Sequence, residues 1–359
     1  MLSGPVLVTG GAGFIGSNFV RMLVGDGVPV INLDALTYAG NPANLEGLPE
    51  DLHTLVPGSI NDGGLVRALL SRHRPAAIVN FAAESHVDRS IDAPSIFIET
   101  NINGTFEMLG AALDWWSALE GREKDQFRFL HVSTDEVYGS IGEGAFTEDS
   151  AYAPNSPYAA SKASADHLVR AFNRTWGLPT LVTNCGNNYG PYQFPEKFVP
   201  LMIINGLEGR PLPVYGDGSN VRDWIHVEDH CRGLRRVLEA GAPGETYNLG
   251  GAEGERSNLD VVETLCGVLD EKGPGPDGKA HRDLLSFVKD RPGHDFRYAI
   301  DAGKARRELG WEAETGFQSG IRGTVDWYVE NRAWWEAIRA GTYGGQRLGL
   351  DRPGAGSKE

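Results

Sequence analysis

Short apolar runs alternate with longer amphipathic stretches through the first half of the chain. The runs Pro5–Thr9, Pro29–Leu33, Ala77–Phe81, Arg128–Val132 and Thr180–Thr183 are apolar along most of their length. Strands of that kind are buried on both faces, as in a parallel sheet. Between them, apolar positions recur at helical spacing over Phe14–Val24, Leu65–Arg72, Pro94–Leu113 and Pro157–Trp176. Strands alternating with helices predict an α/β fold built on a doubly wound parallel sheet. A closed eightfold barrel is the weaker alternative. Its reactive residues would sit at eight strand ends, whereas here a glycine cluster opens the chain.

After about Gly186 the texture changes. Gly, Pro, Asn and Tyr become dense, as in Asn187-Asn188-Tyr189-Gly190-Pro191-Tyr192 and Tyr215-Gly216-Asp217-Gly218-Ser219. This predicts a smaller mixed α/β C-terminal domain that covers the carboxyl edge of the sheet and binds substrate. The expected division is 1–186 for the large domain, with a return segment near 222–241. Residues 187–221 and 242–340 form the smaller domain, and 341–359 a flexible tail. Glu271–Ala280 is expected to be a surface loop, and the chain has no internal repeat.

Composition narrows the class. The 359 residues carry 41% hydrophobic and 23% charged side chains and a formal net charge of −15. Such a charge argues against nucleic acid or an anionic membrane as partner. It leaves room for an anionic small molecule held by local cations. No stretch reaches the roughly 20 apolar residues of a membrane span. Cys185, Cys231 and Cys266 are scattered and form no CxxC pair, so neither a disulfide framework nor a metal site is expected. With no signal-like N-terminus, a cytoplasmic location is expected.

The segment Val6-Leu7-Val8-Thr9-Gly10-Gly11-Ala12-Gly13-Phe14-Ile15-Gly16 reads as strand, tight turn and helix start. Gly10, Gly13 and Gly16 have the spacing that lets backbone approach a pyrophosphate at a helix N-terminus. Asp34 ends the second strand about 20 residues on, where an acid takes the adenosine ribose hydroxyls and repels a 2′-phosphate. A Rossmann-type NAD site follows, with NADP disfavoured. The competing reading is an Asp that only caps a turn.

Tyr158-Ala159-Ala160-Ser161-Lys162 puts Tyr and Lys four apart on one helical face. Lys162 can lower the phenol's pKa and hold a cofactor ribose, while Tyr158 takes a proton from a sugar hydroxyl during hydride transfer. The strand before it ends in Ser133-Thr134, followed at once by Asp135 and Glu136. Crowded carboxylates can leave one protonated. An acid and a base side by side suit a dehydration. The competing reading makes one of them a solvated loop charge.

Together these features resemble the extended short-chain dehydrogenase/reductase superfamily. Longer stretches are similar to the dTDP-glucose 4,6-dehydratase family: His131-Val132-Ser133-Thr134-Asp135-Glu136-Val137-Tyr138-Gly139, Ala82-Ala83-Glu84-Ser85-His86-Val87-Asp88-Arg89-Ser90, Asn187–Lys197, Val221–Asp229 and Asp290–Tyr298. The resemblance implies oxidation of dTDP-glucose at C4, with Tyr158 as base and Thr134 on the 4-hydroxyl. It implies that Glu136 removes the C5 proton and Asp135 protonates the leaving C6 hydroxyl, giving a 4-keto-6-deoxy sugar nucleotide. It further implies NAD contacts from Phe14, Ile15, Ala35, Leu36, Thr37, Ser59, Ile60, Phe81, Ala82, Ala83, Thr100 and Asn188. Substrate contacts are implied at Ser85, Asn187, Glu196, Lys197, Phe198, Pro213, Val214, Tyr215, Arg222, Asn258, Arg291 and His294. It also implies a homodimer through the helices Pro94–Leu113 and Pro157–Trp176.

The chain departs from the family at Ser59, where an Asp is usual, at Gly186, where a Ser is usual, and at Phe198, where a smaller aliphatic is commoner. A dehydratase acting on UDP-glucose, a nucleotide-sugar 4-epimerase or decarboxylase, and a catalytically silent NAD-binding scaffold remain as other readings. The acid pair argues against the second, since an epimerase keeps the C6 hydroxyl. Thr134, Tyr158 and Lys162 together argue against the third.

Overall fold

The first strand shows how the core is built. In β1 (Val6–Thr9) successive side chains point to opposite faces. Val6 and Val8 pack with Phe19, Val20 and Leu23 of the helix Phe14–Gly25, while Leu7 packs on the other side with Ile78, Leu109 and Phe129. The structure is a computed structural model that describes residues 4–275, 278–290, 294–341 and 343. The strands after β1 are β2 (Val30–Asp34), β3 (His53–Pro57), β4 (Ala77–Asn80), β5 (Arg128–Val132) and β6 (Thr180–Cys185). They continue with β7 (Asn187–Tyr189), β8 (Leu212–Tyr215), β9 (Val221–His226), β10 (Thr246–Leu249), β11 (Glu255–Ser257) and β12 (Leu285–Val288).

Seven strands form the large sheet, in the order β10-β6-β5-β4-β1-β2-β3. Every pair in it is parallel. The five expected strands are all present, and two more join them. β3 is an edge strand with only half-buried or exposed residues, so it lacks the apolar run that marks the others. β10 carries Asn248, a buried polar residue that accepts from Tyr138 Oη at 2.9 Å. The segment from 242, expected to start in the smaller domain, thus first closes the large sheet. The return segment also divides. β9 pairs with β7 and β11 in a small sheet, while the helix Val227–Ala240 buries Cys231, Leu234 and Val237 on the large one.

The helix expected over Pro94–Leu113 runs on to Ser117 and is interrupted. Pro94–Phe97 and Thr105–Ser117 are α-helical and Ile98–Gly104 is a π-turn. The widened turn lets Asn101 bond Glu84 from both ends of its amide, at 2.8 and 3.0 Å. π-turns are often found at functional sites. The helix Pro157–Trp176 has its expected bounds, with Ser156 capping Ala159 N, Pro157 in the first turn and left-handed Gly177 at its end.

The second core packs the helices Phe198–Leu207, Asn258–Lys272 and Phe317–Glu330 around Val199, Ile203, Val214, Leu265, Ile321 and Trp335. The first two residues of the expected loop Glu271–Ala280 belong to the helix Asn258–Lys272. Gly341 ends the helix Arg332–Gly341, and Tyr343 packs on Phe194. The rest of the expected tail lies outside the described residues.

Strand order reverses between β1 and β4, so the connections leave the sheet in opposite directions there and open a crevice at its carboxyl edge. Phe129, fully buried in central β5, supports that edge from below. Phe129→Ala should cost about 3–5 kcal/mol. The loss should appear as a lower midpoint in urea denaturation with the slope unchanged.

Candidate active site

The glycine turn after β1 has the shape the spacing demands. Gly10 sits at φ +69°, and a Cβ there would lie 2.8 Å from Ala82 N. A Cβ on Gly16 would lie 2.3 Å from Gly10 O, so only glycine lets the helix start this close to the strand. A Cβ on Gly13 would meet only Gly10 O, at 3.3 Å, and would otherwise project into the cleft. That bare cradle at a helix N-terminus fits a pyrophosphate.

Asp34 is more than a turn cap. Its Oδ2 accepts from Ala12 N and its Oδ1 from Leu36 N, both at 2.8 Å, which fixes the carboxylate at the cleft wall. Burial raises its pKa, and the two amides oppose the rise. Ala35, Thr37, Ser59, Ile60, Phe81, Ala82, Ala83, Thr100 and Asn188 line the same cleft, as do Phe14, Ile15 and Gly16. Leu36 does not. It stands at φ 49° and packs on the core, so its part is to hold Asp34 through its amide. Ser59 Oγ accepts from Asn61 N at 3.1 Å.

Thr134 ends the extended segment after β5 and caps a 3-10 turn, Asp135–Tyr138, by accepting from Glu136 N. The turn sends its two acids into different surroundings. Asp135 is 2% exposed. Its Oδ1 is 3.4 Å from Thr134 Oγ1, and its Oδ2 has no hydrogen-bond partner among the described residues. Burial drives its pKa well above the usual carboxylate range, and the charges of Glu136 and Asp223 add to the rise against Arg222. Those surroundings favour the protonated acid over the carboxylate. Desolvation is the larger cause and crowding the smaller. Glu136 is half-buried and lines both the dinucleotide cleft and its neighbour, so neither acid is a solvated loop charge.

Tyr158 and Lys162 both line the dinucleotide cleft. Burial raises the Tyr158 phenol, Glu136 raises it further, and the Thr134 hydroxyl opposes them. Lys162 Nζ donates to Val132 O at 2.8 Å. One helical turn aligns the two residues, but the buried ammonium satisfies itself on the strand beneath.

A second cleft of about 320 Å³ adjoins the first and shares Ser85, Glu136, Asn187, Asn188, Gln193 and Lys197 with it. Glu196, Phe198, Pro213, Tyr215, Arg222, Asn258 and His294 line it as expected. Val214 does not. β8 alternates, so Pro213 and Tyr215 face the cleft while Val214 is fully buried in the second core. Arg291 lies outside the described residues. Arg222 is held by the carbonyls of Val221, Asp295 and Phe296 and covers the Tyr298 ring at 4.3 Å. Lys197 Nζ reaches Ser85 O at 3.1 Å. His294 Nδ1 lies 2.6 Å from Asp290 Oδ1. Cations and amides thus surround a site in an acidic chain, as an anionic ligand requires.

Sequence reasoning missed Asp88, Met202 and Trp224 in this cleft and Ser133 and Cys185 in the other. Asp88 and Trp224 stand inside matched motifs, which was a usable signal, whereas Met202 sits on an apolar helix that reads only as core. Among the described residues, no cluster of His, Cys, Asp or Glu is arranged to hold a metal ion.

The family model for GDP-mannose 4,6 dehydratase matches residues 7–324. The dTDP-glucose 4,6-dehydratase of Xanthomonas campestris pv. campestris (strain B100) is 58% identical over 96% of this chain and 98% of its own. That of Neisseria meningitidis serogroup B is 53% identical over 97% and 99%. The Streptomyces venezuelae dTDP-glucose 4,6-dehydratase, solved with NAD and TYD bound, is 48% identical. It superposes with a TM-score of 0.85, over 93% of this chain and 99% of its own. A Thermotoga maritima UDP-glucose 4-epimerase, solved with UDP-glucose, is similar at 27% identity and TM-score 0.80, over 91% and 99%.

The raised pKa of Asp135 has a thermodynamic signature. The folded protein keeps a proton that the unfolded chain releases above about pH 4. Stability therefore falls as pH rises from that point toward the folded pKa. Asp135→Asn removes this penalty and should be more stable than the parent at pH 8, by roughly 1–3 kcal/mol. The gap should close toward pH 4 in paired thermal melts. A variant equally destabilised at both pH values would contradict the buried-acid assignment.

Proposed function

The chain belongs to the dTDP-glucose 4,6-dehydratase family, and from that membership we infer its activity: it is an NAD-dependent hydro-lyase that converts dTDP-glucose to dTDP-4-keto-6-deoxy-glucose. The observation that best supports the assignment of roles is the buried Asp135 beside the half-buried Glu136 at the seam of the two clefts. The Gly10–Gly16 turn would hold the pyrophosphate of NAD and Asp34 its adenosine ribose, and the bound cofactor would supply the hydride chemistry at C4 and C6.

The remaining work falls to protein groups. Tyr158 receives the proton of the 4-hydroxyl, assisted by the Thr134 hydroxyl. Lys162 places its charge at the cofactor's ribose and favours the phenolate once that hydroxyl chain is complete. A ketone at C4 acidifies the C5 proton, and Glu136 takes it. Asp135 gives its proton to the C6 hydroxyl, which leaves as water, and the protonated Glu136 returns its proton to C5 as C6 takes up hydride. This division follows from the surroundings: the group without water holds a proton to give, and the half-buried group is the carboxylate. Arg222 and Lys197 face the diphosphate, with Asn187 and Asn258 as amide partners. Glu136 and Asp135 distinguish this chemistry from epimerisation on a similar fold.

A homodimer is part of the proposal. Ile98, Phe106 and Trp176 are 51–52% exposed, and they lie on or beside the helices expected to pair. Large apolar side chains grouped on one face of a domain mark an association surface. A cytoplasmic location is proposed as well, supported by three unpaired, buried cysteines. Among the described residues, no helix is long and apolar enough to cross a membrane.

Turnover of dTDP-glucose, read as the alkaline absorbance of the 4-keto sugar, tests the roles. Tyr158→Phe, Glu136→Gln and Asp135→Asn should each lower kcat by about 10²–10⁴. Glu136→Gln should also abolish exchange of the C5 proton with solvent deuterium. Wild-type kcat in both acid variants would overturn the assignment. For the assembly, Ile98→Glu with Phe106→Glu should halve the mass measured by light scattering. An unchanged mass would move the interface elsewhere.

A further inference from the structure

Behind the cleft lies a buried ionic group that the proposed chemistry does not use. Asp166 follows Lys162 by one turn on the same helix, and both are buried. Asp166 Oδ2 accepts from Ser133 Oγ at 2.8 Å and from Tyr152 Oη at 3.1 Å. Its Oδ1 faces His131 Nε2 at 3.5 Å, with the Asn184 amide beside the carboxylate. Lys162 Nζ stands 3.3 Å from the same His131 Nε2. The imidazole edge therefore lies between the cation and the anion.

The hydrogen bonds around His131 fix its proton. Thr9 Oγ1 accepts from Ala82 N at 3.2 Å and has one proton to give, which goes to Asn80 Oδ1 at 2.6 Å. That distance is typical of O–H···O and short for N–H···O, so the amide oxygen faces Thr9. Asn80 Nδ2 then points at His131 Nδ1, 3.2 Å away, which must accept. Burial and the Lys162 charge hold the ring neutral, with its pKa well below the usual value. With its one proton on Nε2 the ring cannot accept from Lys162, and Asp166 Oδ1 stands 3.5 Å from the same nitrogen.

We propose that Asp166 and His131 are positioning residues for Lys162: the carboxylate keeps the ammonium charged from a distance, and the imidazole stops the two from closing into a direct ion pair, so that the ammonium's remaining protons serve the cleft. A direct pair would satisfy both charges and withdraw the lysine from the cofactor. A missing carboxylate would leave a buried ammonium with no counter-charge, and it would shed its proton. Asp166 is suited to the task, since burial pushes its pKa only to about 6 and it is ionised above that. Burial lowers the Lys162 pKa and Asp166 opposes the fall. The other groups facing the pair are the Cys185 thiol, which burial raises, and the Tyr138 and Tyr152 phenols, which burial and the Asp166 charge raise. All three stay protonated through neutral pH.

The inference rests on Lys162 being the charge at the cofactor ribose. In the full-length enzyme, Asp166→Asn should move the alkaline limb of the kcat–pH profile down by about 1 unit or more, since Lys162 then loses its proton earlier. That is a loss of about tenfold or more at the alkaline end, with much smaller change near pH 6.5. A cooperatively folded Asp166→Asn whose profile superimposes on the parent's would overturn the proposal. If Asp166→Asn does not fold, His131→Asn decides. A smaller side chain there lets Asp166 and Lys162 close into a direct pair, which should move the limb up instead, and an unshifted limb sinks the idea. Lys162→Met separates the two layers. Wild-type turnover there would remove the lysine reading itself, while an inactive Lys162→Met beside an unshifted Asp166→Asn would remove only this inference.

Discussion

A carboxyl group almost wholly removed from water governs this site. Asp135 stands just past the end of β5, at the wall of the dinucleotide cleft, with one oxygen left unpartnered among the described residues. An ionised carboxylate cannot be kept there at tolerable cost, so the group holds its proton. Glu136, one residue on, reaches the half-buried wall shared by both clefts. Two like side chains thus become an acid and a base without any difference in chemistry between them. The backbone turn that separates them is what assigns the roles, and Thr134 fixes that turn by accepting from Glu136 N.

The two clefts depend on one another for the same reason. Six residues belong to both, so the dinucleotide and the sugar meet at a common wall. The large sheet supplies one side through Gly10, Asp34 and Thr134. The smaller layer supplies the other through Pro213, Tyr215 and Arg222. Rigid backbone holds each contribution: Arg222 by three carbonyls, Asp34 by two amides, Asn101 by both ends of Glu84's peptide. Catalysis by positioned groups needs this stiffness more than it needs any single strong contact.

Much of this was legible in the chain. Pro157 and Gly177 mark both ends of the Tyr–Lys helix because each has a conformation few other residues tolerate. The glycines of the first turn were legible because their spacing is a steric statement. What escaped reading lacked such a local signal. β3 is too polar to stand out, β10 breaks its apolar run with Thr246 and Asn248, and the π-turn at Ile98–Gly104 has no compositional mark. The inward turn of the Val214 side chain was readable, since period-two alternation places it opposite Pro213 and Tyr215. The state of Lys162 was not readable at all. Asp166 lies one turn on along the same helix, but Val132 and His131 meet Lys162 only after β5 and the helix have docked.

The late arrival of β10 has a consequence for how the chain is made. Tyr138, at the end of the acid-pair turn, bonds Asn248, and Asn248 N bonds Glu148, so the turn is pinned by a strand more than a hundred residues downstream. Until β10 emerges from the ribosome, the edge of β6 is bare. Bare edges recruit foreign strands. At synthesis rates of about 5–20 residues per second, the stretch between Cys185 and Thr246 takes on the order of 3–12 s to appear. For those seconds the nascent sheet is a template with one side open. Expression that slows through this stretch prolongs the exposure, and a holdase bound at β6 shortens it.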